Sequence, residues 1–244
     1  MNRSKSDTSF SELAKEQVLK QIAYHILLNS STLHDWGLYE GKMACVLYLF
    51  HYYRYSGNAV FEKAAEYLLE DIGKELSSLL LVNMETGYCG IAWGLCYLAA
   101  NGFIEGDINE MVADIDIKIM ERDPRWISDR SFDRGLAGIL FYVSTRLLQK
   151  NDKTLFDVEY INRLSAKVKS ILLLPAKVKN KDYDILLEYS NLLFDNKLRN
   201  EQTLYDFVCL NAFPTKESVE TLPLHLHLCN GCIGMGLKMI LDAE

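Results

Sequence analysis

Residues 135–148 read GLAGILFYVSTRLL: two glycines three positions apart, then a run that is apolar on nearly every side. A helix at a protein surface carries one apolar stripe, so a helix that is apolar all round belongs in the interior. The same start occurs at GKMACVLYLF from Gly41, GYCGIAWGLCYL from Gly87 and GCIGMGLKMIL from Gly231, with Ala44 in place of the second glycine at the first of these. The steps between the starts are nearly even, except that the last is about double the others, as expected if one repeat has degenerated. The missing start falls near Tyr183, where DYDILLEYSNLLF is apolar but has no glycine.

Helices of a different kind lie between these runs. In SFSELAKEQVLKQIAYHILL the apolar residues Val18, Leu19, Ile22, Ala23, Ile26 and Leu27 recur at helical spacing, and Ser9 with Glu12 has the form of a capping box. Val60, Ala64, Leu68, Ile72 and Leu76 make a stripe along NAVFEKAAEYLLEDIGKEL. DINEMVADIDIKIM and LFDVEYINRLSAKVKSILLL repeat the pattern, and NEQTLYDFVCL does so more loosely. One polar and one apolar face place these helices outside the glycine-headed ones. The chain therefore reads as one all-α domain, residues 1–244. The expected architecture is an α/α toroid or arc of about five outer/inner helix pairs, about ten helices in all. In a ring the inner helices converge at one end. Glycine there admits close backbone approach and positive φ in the preceding loop, and leaves helix N-termini facing a central cavity that favours anions.

Bulk composition narrows the function. A content of 49% hydrophobic residues suffices for a core, and only four prolines suit long helices. A formal net charge of -7 and the lack of any dense Lys/Arg cluster exclude a nucleic-acid backbone as partner. The N-terminal residues lack the apolar core of a signal peptide, and no run is long and apolar enough to span a membrane. Cys45, Cys89, Cys96, Cys209, Cys229 and Cys232 sit mostly in apolar helical stretches, which suits reduced thiols and a cytoplasmic location.

The glycine starts resemble those of the lanthionine synthetase C-like (LanC-like) family. LYEGKMACVLYL is similar to its first repeat, GLAGILFYV to its inner-helix consensus, and LCNGCIGMGL to its Cys-His-Gly-x-x-Gly segment. The likeness runs over residues 36–241. It implies an α-toroid. In the family's active members, two cysteines and a histidine hold a zinc ion that activates a peptide thiol. The thiolate adds to dehydroalanine or dehydrobutyrine and closes a thioether ring. Of the ligands, Cys229 alone is matched, and it is the metal-ligand position the resemblance implies here. Asn230 occupies the histidine position, and DYDILLEY has no cysteine. The family's catalytic histidine directly precedes a motif, where this chain has Glu40, Thr86, Arg134 and Asn230; no catalytic residue is assigned. Asn83 approximates the family's aspartate four residues before a motif glycine. The resemblance implies a protein related to peptide-modifying cyclases, with a peptide or protein as substrate. The alternative is a non-catalytic toroid that binds a peptide or protein.

Zinc is the cofactor that the sequence raises, and the departures weigh against it. A second arrangement comes from LHLHLCNGC itself: in extended chain His225, His227 and Cys229 share one face, with Cys232 close behind. A third reading makes the stretch a lead-in to the last helix, with its alternating leucines packed and its histidines in solvent. Cys229 then points to the cavity while Cys232 packs as a small hydrophobe. A glycosidase would use paired carboxylates such as Asp129, Asp133 or Glu40, with Trp36, Trp93 or Trp126 against a sugar. Ordinary helix capping accounts for the same acids, and for His34 and Asp35. No phosphate loop, dinucleotide fingerprint, nucleophile elbow or kinase motif is present.

Overall fold

The computed structural model describes residues 4–76, 80–150, 155–173, 183–187, 189, 225–228 and 231–243. Eight α-helices lie among them: α1 (Ser4–Asn29), α2 (Lys42–Ser56), α3 (Ala59–Glu75), α4 (Tyr88–Ala100), α5 (Ile108–Met120), α6 (Leu136–Lys150), α7 (Val158–Leu172) and α8 (Cys232–Leu241). Residues 183–187 are helical as well. The described residues contain no strand, so the fold is all-α. The chain falls into two compact units, Met1–Ser77 with Gln202–Glu244, and Ser78–Glu201.

In the first unit α2 is the centre. Lys42 through Tyr52 are all buried along it, which is why its sequence shows no polar face. α1, α3 and α8 each pack against it. α1 presents Leu19, Ile22, Ala23 and Ile26, the inner part of the stripe read from the sequence. The helix already begins at Ser4, so Ser9 lies inside it and is not an N-cap. The stripe of α3 holds at Leu68 and Ile72 and shifts by one residue in its first two members. Phe61, Ala65, Leu68 and Ile72 are buried, whereas Val60 is exposed and Ala64 half-buried. Phe61 decides this, because its ring packs edge-on to Tyr52 at 4.7 Å and to Tyr24 at 5.9 Å. An aromatic contact of this kind outweighs burying Val60.

In the second unit α4 and α6 play the inner part. Tyr88 to Gly94, Cys96 and Leu98 are buried on α4, and Leu136, Ala137, Ile139, Leu140, Tyr142 and Val143 on α6. α5 packs on α4 through Val112, Ile115 and Ile119, after an Asp107 cap that accepts from the Asn109 N–H. α7 buries Tyr160, Leu164, Val168 and Ile171, after an equivalent Asp157 cap on Glu159. Ile185, Leu186 and Tyr189 of the degenerate start are buried too. NEQTLYDFVCL lies outside the described residues. Each fully buried leucine or valine contributes about 1.5–3 kcal/mol, so alternating inner and outer helices hold each unit together.

Candidate functional site

All four glycine starts are built the same way. The N–H of the first helical residue donates to a carbonyl seven residues earlier: Lys42 to Asp35 at 3.0 Å, Tyr88 to Leu81 at 2.9 Å, Leu136 to Asp129 at 3.0 Å and Cys232 to His225 at 3.0 Å. A second donor in the first turn repeats the step in three of them: Met43 to Trp36, Gly90 to Asn83 and Gly234 to His227. Side-chain caps are absent at Gly41, Gly87 and Gly231, because the preceding loop folds back and its carbonyls do the capping. This corrects part of the expectation of open helix N-termini inviting an anion. The leading donor at every start, and a second at three of them, is already engaged by the loop.

The same geometry explains the first glycine of each start and the second at Gly138 and Gly234, while the first start accommodates Ala44 at that second position. A side chain at Gly87, Gly138 or Gly234 would run into the carbonyl of Leu81, Phe132 or Leu228. Positive φ plays no part: Gly41, Gly87 and Gly231 have ordinary extended backbone, with Gly231 at φ -126°. Left-handed glycines occur elsewhere, at Gly57, Gly102 and Gly106. The sequence carries a further mark of the joint. The residue three before the first glycine is apolar in every start, and Leu38, Met84, Phe132 and Leu228 are all buried. It plugs each loop into the core beneath it.

Neighbouring loops are joined in a repeated way. The Asp133 carbonyl accepts from the N–H groups of Met84 (3.1 Å) and Glu85 (3.0 Å). At the equivalent place in the other unit, the Tyr39 carbonyl accepts from the Leu228 N–H at 2.6 Å. The residue just ahead of the first glycine adds a polar side-chain contact to each joint. Arg134 binds both oxygens of Glu85 through one guanidinium edge, Nε and Nη2, holding the Glu85 carboxyl below the usual range. Glu40 lies 3.4 Å from His227 Nδ1. The position that carries a catalytic histidine in the resembled family is therefore structural at two starts here.

The other sequence candidates separate. His225 is exposed and His227 half-buried, with ring centroids 5.5 Å apart. Cys232 is fully buried, and burial raises its thiol to about 11. Cys229 and Asn230 lie outside the described residues, as does Cys209. Among the described residues no group of three or more His, Cys, Asp or Glu could hold a metal. With Asn230 in the histidine position and no cysteine in the degenerate start, the residues do not fit the family's zinc site. Cys45, Cys89 and Cys96 are free and buried, and burial pushes Cys96 up to about 12, so none is poised as a nucleophile.

Asp35 and Asp129 occupy the same place in their loops. Their carboxylates accept from the N–H of Gly37 (2.6 Å) and Ser131 (2.8 Å), which is loop-building. His34 is exposed. Trp36 lies under the buried Lys42 ammonium, 4.0 Å from ring centroid to Nζ, and Lys42 also pairs with Asp71. Trp93 is buried and stacks on Tyr97 at 5.6 Å, while Trp126 is exposed on the turn Pro124–Trp126. Asn83 is buried, and its side chain accepts from the Thr86 N–H at 2.9 Å. No helix among the described residues is long and apolar enough to cross a membrane. The chain matches no protein-family model, and no curated protein or solved structure is significantly similar to it.

Proposed function

We propose that the chain is a LanC-like helical-repeat protein that uses the family's scaffold to hold a peptide or protein segment without catalysing thioether closure. The α/α toroid expected from the resemblance is part of this proposal. One observation carries it: a single loop-to-helix joint recurs at all four glycine starts, as a repeat protein requires. The loss of chemistry rests on the residues at the motif positions. Arg134 is engaged in an ion pair and Glu40 in a contact with His227, both with neighbouring loops, and Asn230 is a poor zinc ligand. The cyclase reading keeps one point in its favour, Cys229 at a family ligand position.

Two measurements on the purified full chain decide between them. Metal analysis after purification without chelator should give far less than one zinc per chain. A peptide carrying one cysteine and one dehydrobutyrine should keep its alkylatable thiol when incubated with the protein. Stoichiometric zinc that is lost in Cys229→Ala, together with consumption of the thiol, would establish a cyclase instead.

A further inference from the structure

We draw no further inference here: the strongest candidate, the exposed apolar strip of Leu13, Tyr24 and Leu28 along α1 beside the groove lined by Lys20 and His25, carries nothing because nothing in the structure shows what covers it.

Discussion

At Gly234 an added methyl group meets the Leu228 carbonyl, whereas at Gly73, inside α3, it finds nothing within 4 Å. The same substitution should therefore have opposite signs. Gly234→Ala is expected to destabilise by about 2–3 kcal/mol, because the loop cannot withdraw without losing the bond from the Gly234 N–H to His227. Gly73→Ala should stabilise by about 0.5–1 kcal/mol, through helix propensity and a less disordered unfolded chain. Urea denaturation of both variants measures this, and equal effects would refute close approach as the reason for the motif. His51 makes a second residue-scale prediction. Burial, with Arg54 adding to it, lowers its pKa from 6.5 to about 4. Between those values the unfolded chain takes up a proton that the folded chain refuses. Stability should thus fall as pH drops from 6.5 toward 4, by at most about 3 kcal/mol from this group, and stay level with respect to it above 6.5. His51→Gln should flatten the midpoint-against-pH curve in that window; an unchanged curve would show that His51 does not set it.

Between α5 and α6 the interior holds a charged pair. Arg146, 1% exposed, donates to Asp116 at 3.0 and 3.3 Å and to Asn109 at 3.2 Å, and the Tyr142 hydroxyl donates to Asp116 at 2.7 Å. Burial raises the Asp116 carboxyl above the usual range, while the bonds from Tyr142 and Arg146 pull it back. Such a pair is expected to specify which face of α5 meets α6 more than to add stability. Arg146→Met alone should cost about 3–5 kcal/mol near neutral pH, since it strands a buried carboxylate. The deficit should shrink at lower pH, where Asp116 takes up a proton. Replacing all three, Asp116→Leu, Tyr142→Phe and Arg146→Met, should recover most of the loss. Thermal melts of the two variants at pH 5 and pH 8 provide the comparison, and a triple variant as unstable as the single one would contradict it. The alternation of inner and outer helices was legible from periodicity, because burial on all sides or on one side leaves different residue patterns. The register at the start of α3 was not legible, although Leu68 and Ile72 were placed correctly. Val60 and Phe61 both satisfy a helical stripe, and the rings of Tyr24 and Tyr52 choose between them.

The C-terminal helix belongs with the N-terminal ones: α8 packs on α1 and α2, and its loop is bonded to the loop before α2. A chain ending at residue 231 loses Ile233, Leu237 and Ile240 from that core. Hydrogen exchange should then show α1, α2 and α3 losing protection while α4 to α7 keep theirs; uniform loss would mean that the two units unfold as one. By itself the sequence determined the helical class, the positions of the glycine starts and the division into inner and outer helices. These follow from hydrophobic periodicity and from the steric need for glycine, which are written locally. Only the tertiary structure decided what the starts are for. The carbonyls that cap α2, α4, α6 and α8, the contact of Glu40 with His227, the ion pair of Arg134, and the engagement of the leading N–H groups all depend on how each loop folds back and meets its neighbour. Sequence spacing can place a residue beside a motif, but it does not say which atoms across the chain have already claimed it.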